Sequence, residues 1–235
     1  MVVTQDEDVG FVGSHCKCMK DIIYENKLKF AKIPEEFEKL TINSFRTDYQ
    51  SAEAQGMAKR AKAAAGQFVK QYNLFSEQGK GLYFYSDTKG SGKTRLAISV
   101  GNALMSVKGQ RVRYITTLDL LGEIRKTYDS KSEETETDVL DAVKTVDCLI
   151  LDDVGVEDGE RPWIKEKMFQ ILDYRMTRKK VTIFTSNVTV NKLKHDDRIK
   201  NRIERMAVPV MMPEESIRSQ LSAKENEELS KILFG

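Results

Sequence analysis

The chain has 235 residues, 40% hydrophobic and 31% charged, which supplies one sizeable domain with an appendage and excludes disorder throughout. Its 38 lysines and arginines nearly cancel 36 aspartates and glutamates, leaving a formal net charge of +2 that selects no partner. No run approaches the roughly 18 to 20 apolar residues of a membrane span, the start MVVTQDEDVG is acidic, and Cys16, Cys18 and Cys148 cannot make a disulfide framework. These features point to a cytoplasmic protein with no membrane partner.

Taken in chain order, residues 1 to about 32 show no sustained period and read as a small separate segment. Ala54, Met57, Ala58, Ala61, Ala65, Phe68, Val69 and Tyr72 recur every three or four positions, which predicts an amphipathic helix over Ser51 to Tyr72. Leu82 to Tyr85 has strand character, Ser86 to Gly92 breaks it, and Leu96, Ala97, Val100 and Leu104 resume helical spacing. The pattern then repeats: Arg111 to Thr116 as strand, Leu118 to Tyr128 as helix, Val139 to Lys144 as a short helix, and Cys148 to Leu151 as an apolar strand. Trp163 to Thr177 reads as helix, Val181 to Thr185 as strand and Val208 to Met212 as a last strand. Such alternation predicts a parallel sheet covered by helices on both faces. Charge is segregated along this order. Tyr128 to Glu160 holds 12 acidic and 2 basic residues, whereas Tyr174 to Arg205 holds 10 basic and 3 acidic.

The strongest motif is KGSGKT, Lys89 to Thr94, between an apolar strand and a helix, where a phosphate-binding loop belongs. Around Gly90, Ser91 and Gly92 the backbone can turn its N–H groups toward phosphates, Lys93 supplies positive charge, and Thr94 offers a hydroxyl to Mg²⁺ at a helix N-terminus. Asp87 stands where the first glycine of the motif belongs, although aspartate tolerates turns. CLILDD, Cys148 to Asp153, is an apolar strand ending in two acids; Asp152 is expected to hold Mg²⁺ and Asp153 to orient or deprotonate the attacking water. In VTIFTSN, Asn187 reaches the γ-phosphate or its water if this strand lies between the other two. Arg198, Arg202 and Arg205 in DRIKNRIERM share one helical edge, either a solvated basic face or the source of an arginine finger.

In their joint order, IPEEF with Phe45 after it, GSGKT, LILDDVGVED with Trp163, LDYRMTRKKVTIFTSN, RIKNRIERM and ESIRS resemble the DnaC/DnaI-type replicative helicase loaders, AAA+ ATPases, from about Ile33 to Arg218. The resemblance implies ATP or ADP binding with Mg²⁺, ATP hydrolysis, self-assembly through AAA+ interfaces, and loading of a hexameric helicase of the DnaB type onto single-stranded DNA. It makes Arg202 the finger and Arg218 the γ-phosphate sensor. The stretch Thr117 to Lys144 would face the nucleic acid, with Arg125 and Lys126 for phosphates and Tyr128 for stacking; the acidic tract Glu133 to Asp141 would repel it.

The expected fold is an α/β P-loop AAA+ core with a parallel five-stranded sheet in the order 5-1-4-3-2 and a lid absent or vestigial. The expected division is a helicase-docking segment at 1–45, the ATPase core at 46–213 and a C-terminal helix at 214–235. Cellular loaders place a longer docking domain first, sometimes zinc-bearing, so the short segment fits a phage-encoded or trimmed loader. His15, Cys16 and Cys18 are too crowded for the usual zinc pair. Two other readings share these motifs: a transposition helper ATPase of the IstB type, and a nucleotide-gated binding module with little hydrolysis.

Overall fold

A computed structural model describes residues 2–6, 10–14, 26–129 and 133–234. His15, Cys16 and Cys18 lie outside the described residues. Strands β1 (Val2–Asp6) and β2 (Gly10–Ser14) pair antiparallel with Val2 opposite Ser14, a hairpin that the unperiodic sequence of this region did not announce.

Residues 26–45 were expected to belong to a separate docking segment, yet they pack into the core. Ala31, Ile33 and Phe45 are buried in the same apolar cluster as the first long helix, with Leu28, Phe37 and Ile42 against it. Polar ties reinforce this: the Asn102 side-chain amide donates to the carbonyls of Phe37 (2.9 Å), Glu38 (3.1 Å) and Leu40 (2.9 Å), and Arg113 donates to Phe30 O at 3.2 Å. An irregular segment whose partners lie some sixty residues away has no period to read; only the fold assigns it to the core.

Helix α1 (Ala52–Lys70) starts where the Ser51 hydroxyl accepts the Ala54 N–H, a cap worth about 1 kcal/mol. Its buried stripe of Ala54, Ala58, Ala61 and Ala65 is small enough to lie close to α3. After the short α2 (Tyr72–Glu77) come β3 (Gly81–Tyr85), α3 (Lys93–Val107), β4 (Val112–Thr116) and α4 (Thr117–Lys126). Next follow α5 (Glu136–Thr145), opened by a capping box between Thr135 and Asp138, β5 (Cys148–Asp152), α6 (Pro162–Thr177), and β6 (Val181–Ser186). The chain continues with α7 (Asp197–Met206), capped by Asp196, then β7 (Ala207–Met211) and α8 (Ile217–Phe234), the one helix described after the last strand.

The sheet is all parallel, in the order β4-β5-β6-β3-β7. Counting its own strands from β3, this is 2-3-4-1-5, the expected order seen from the other edge. Helices α1 and α3 cover one face, and α4 to α7 the other. Strands β5 and β6 are buried along their whole length, which is why both read as continuous apolar runs. Register brings Thr116 beside Asp152 and Tyr85 beside both Ser186 and Met211, so the carboxyl ends of the strands open on one edge.

At the opposite end of β5 and β6 lies Arg175 of α6, with no exposed surface. Its guanidinium donates to Thr182 Oγ1 at 2.9 Å and Val181 O at 2.5 Å, and Nη1 faces the carbonyls of Val143 (2.7 Å), Lys144 (3.1 Å) and Val146 (3.0 Å) at the end of α5. Burial pushes its pKa down to about 10, against the pull of Cys148, Tyr72 and Asp147. The group is a buried structural cation that closes α5 onto the sheet.

Candidate nucleotide-binding site

The loop from Ser86 to Gly92 joins β3 to α3. Gly90 and Gly92 have φ of +80° and +91°, a region open to glycine at little cost. A Cβ at Gly90 would stand 2.5 Å from Ser216 Oγ, and one at Gly92 would stand 2.9 Å from Phe45 Cε2, so the loop is held tightly from both sides. Tyr49 strengthens one wall, its hydroxyl donating to Ser91 O at 2.8 Å, and burial pushes that phenol up to about 12. Asp87 does not adopt positive φ. The motif's missing glycine is therefore not a conformational defect here.

Lys93 is 5% exposed. Its Nζ donates to Thr88 O (2.9 Å), Ser86 O (3.2 Å) and Ser91 Oγ (3.3 Å). Burial lowers its pKa, opposed by the carboxylates of Asp153, Glu214, Asp152 and Asp87. Across the cleft, Asp152 ends β5 almost fully buried. Thr94 Oγ1 donates to it at 2.9 Å, Tyr114 OH at 2.9 Å and Thr185 Oγ1 at 2.5 Å. The same Thr185 oxygen accepts the Asp153 N–H at 2.9 Å, so one hydroxyl fixes the positions of both acids. Asp153 adopts φ +55°, which directs it differently from its neighbour. Its carboxyl is raised above the usual range, first by burial and then by the charge of Asp152, while Lys93, Arg218 and Lys89 pull it down.

Sequence reasoning missed Tyr114 and Thr185. Only the strand register shows the meeting of Thr185 with Asp152: Leu151 pairs with Phe184, which puts Asp152 and Thr185 at the same end of the sheet. Asn187 directly follows β6, which does lie between β5 and β3, and is half-buried. Arg218 sits in the first turn of α8, beside Gly90: Ile217 N–H donates to Gly90 O at 3.2 Å. Glu157, another acid of this loop, is engaged elsewhere. It is buried with His195, Oε1 to Nε2 at 2.5 Å, and its other oxygen accepts the Gly155 N–H.

Arg202 is not among these partners. It lies on α7, bonded to Asp173 Oδ1 through Nε (3.0 Å) and Nη2 (2.6 Å), with its guanidinium 4.0 Å from the Phe169 ring centre. Arg198 stacks on the same ring from 5.3 Å, whereas Ile199, Ile203 and Met206 bury the other face of the helix. The nucleic-acid candidates form another group. Arg125 lies 4.9 Å over the Trp163 ring, and Tyr128 donates to Glu136 at 2.6 Å while accepting from Trp163 Nε1 at 3.0 Å. Lys126 is exposed at the end of α4, in a shallow groove shared with Glu123, Glu133 and Glu134.

The donors fit a nucleotide with its metal. Lys93 and the glycine-lined loop suit phosphate oxygens, and the Thr94 hydroxyl beside the Asp152 carboxylate is a hard-oxygen pair of the kind Mg²⁺ takes. Set in a 2-3-4-1-5 parallel sheet, this constellation defines a P-loop domain of the AAA+ type.

The chain belongs to the IstB-like ATP binding protein family, whose model matches residues 24–218. It is 25% identical over 199 residues to the uncharacterized protein YqaM of Bacillus subtilis, covering 83% of this chain and 61% of that protein. To the replicative helicase loader DnaI of Bacillus subtilis it is 32% identical over 130 residues, 54% of this chain and 39% of the loader. A solved DnaC helicase loader structure aligns with a TM-score of 0.63 at 25% identity, over 76% of this chain and 99% of the solved one. The resemblance to DnaC/DnaI-type AAA+ proteins is thus borne out, although the chain spans only part of these curated relatives. Among the described residues, no helix is long and apolar enough to cross a membrane.

Proposed function

We propose that the protein is an ATPase that delivers a hexameric replicative helicase of the DnaB type onto single-stranded DNA. The observation that carries hydrolysis is the division of labour at the end of β5. Three hydroxyls hold the Asp152 carboxylate in place, while Asp153 beside it, at φ +55°, is directed differently and is easier to protonate than an ordinary carboxyl. Lys93 and the loop N–H groups would bind the phosphates, Thr94 and Asp152 would hold Mg²⁺, and Asp153 would accept the proton of the attacking water with Asn187 orienting it. Bound there, Mg²⁺ would neutralise charge on the phosphate oxygens. Arg218 would sense the γ-phosphate from α8, and Arg202 would reach the nucleotide of a neighbouring copy.

The loader assignment is supported by relatives named as replicative helicase loaders. Helicase docking is assigned to the N-terminal segment, and single-stranded DNA to Arg125, Lys126 and Tyr128, where exposed Tyr128 offers a stacking face. A second reading is a transposition helper of the IstB type acting with a transposase on double-stranded DNA; what supports it is the match to a family described as IstB-like ATP binding proteins. Co-purification decides between them: the proposal expects a hexameric helicase, lost when residues 1–25 are deleted, and recovery of a transposase instead overturns it. Phosphate release that rises with single-stranded DNA is the second expectation. Nucleotide binding without turnover in any condition would leave a nucleotide-gated binding module.

A further inference from the structure

The connection between β7 and α8 carries two adjacent acids with different targets. Glu215 accepts the N–H groups of Gln50 (2.8 Å) and Ser51 (3.0 Å), at the start of α1. Glu214 reaches the phosphate loop: Oε1 accepts the Asp87 N–H at 3.2 Å, and Oε2 accepts the Thr88 N–H and the Thr88 hydroxyl, both at 3.1 Å. Ser86 Oγ is 3.2 Å from the same Oε2 and 2.8 Å from Pro213 O. One carboxylate, more than 120 residues away in sequence, thus gathers the donors at the start of the loop.

That is where the motif's first glycine is replaced by Asp87. A phosphate loop binds by presenting several N–H groups together, and a loop with glycines at φ +80° and +91° loses conformational freedom on binding unless something has fixed it already. Among the described residues, the Asp87 side chain makes a 3.6 Å ion pair with exposed Lys192. Three charge-assisted bonds to Glu214 are much the stronger restraint.

We propose that Glu214 is a positioning residue: it fixes the start of the phosphate loop against the strap leading to α8, and so sets nucleotide affinity without touching the nucleotide. The inference rests on nucleotide binding at this loop. Because the restraint acts on the loop and not on one phosphate, it serves ATP and ADP equally. Glu214 is also among the carboxylates that raise the Lys93 pKa against the burial that lowers it.

Calorimetric titration of the full chain with ATP and with ADP tests this. Glu214→Ala is expected to weaken both by about tenfold, and Glu214→Gln, which still presents an oxygen to both Thr88 donors but loses the charge and the acceptor for the Asp87 N–H, to fall between that variant and the parent chain. Glu215→Ala, which frees α1 and not the loop, is expected to leave affinity unchanged. Thermal midpoints without nucleotide identify any variant that simply unfolds. Unaltered affinity in Glu214→Ala overturns the inference. So does a Glu214→Gln defect as large as the alanine's, or an equal loss in Glu215→Ala. If the parent chain binds neither nucleotide, the nucleotide reading itself fails, which is a different result.

Discussion

Strands β5 and β6 carry a charged group at each end, and the two ends treat their charges differently. At the amino end, Arg175 is wholly buried, and its donors meet Thr182 and the backbone carbonyls around it. At the carboxyl end, Lys93, Asp152 and Asp153 stand together, and Asp153 is left with a carboxyl that burial and a like charge make easier to protonate. Arg175 closes one end of the sheet and serves the fold, whereas the charges gathered at the other end, with Asp153 easier to protonate than usual, mark the end set for a ligand or a proton.

The largest expected effect strikes the structural end. Arg175→Ala leaves the carbonyls that end α5 and the Thr182 hydroxyl without their donor, and should cost about 3 kcal/mol or more of stability; urea unfolding measures it. Should the variant unfold like the parent chain, the contrast between the ends is wrong.

At the other end, Asp153→Asn should keep nucleotide affinity and lower turnover by about a hundredfold, followed by phosphate release. Asparagine tolerates the φ of +55°. The same change has a stability consequence of opposite sign to that at Arg175. The folded chain holds the Asp153 proton to higher pH than the unfolded chain does, so this group stabilises the fold at acid pH and loses that effect as pH rises through its folded pKa. The variant should therefore be more stable than the parent at neutral pH, and the gain should vanish in acid, where both side chains are neutral. A gain that persists unchanged in acid contradicts the raised pKa.

Lys93→Ala should weaken ATP binding by about a hundredfold while sparing the fold, because the desolvated ammonium that it removes bonds only to its own loop. Titration by calorimetry is the check, and wild-type affinity would move the phosphate site elsewhere.

The smallest effect on the isolated chain belongs to Arg202→Ala. Its loss removes the part-buried bonds to Asp173 and the Phe169 contact, about 1 kcal/mol of stability, and should leave nucleotide affinity untouched. Its larger expected consequence is in assemblies. Mixed with Lys93→Ala, which keeps an intact arginine, it should regain part of its hydrolysis; no regain in the mixture, or regain with Arg198→Ala in its place, moves the finger from this residue.

Much of this architecture was legible from local pattern. The α1 stripe, the GSGKT loop between strand and helix, and the apolar run into Asp152 and Asp153 all rest on spacing within a few residues, set by the helix and strand periods and by glycine's freedom in turns. The strand order came through the family resemblance carried by those motifs. Tertiary structure decided the rest. It brought Thr185 and Tyr114 to Asp152, Asp173 to Arg202, Asn102 to the carbonyls of residues 37–40 and Glu214 to the phosphate loop. Most of these bonds join residues tens of positions apart, so no period or spacing announces them. A hydroxyl or carboxylate has many possible partners in the sequence, and only the packed sheet and its strap bring one within hydrogen-bonding distance.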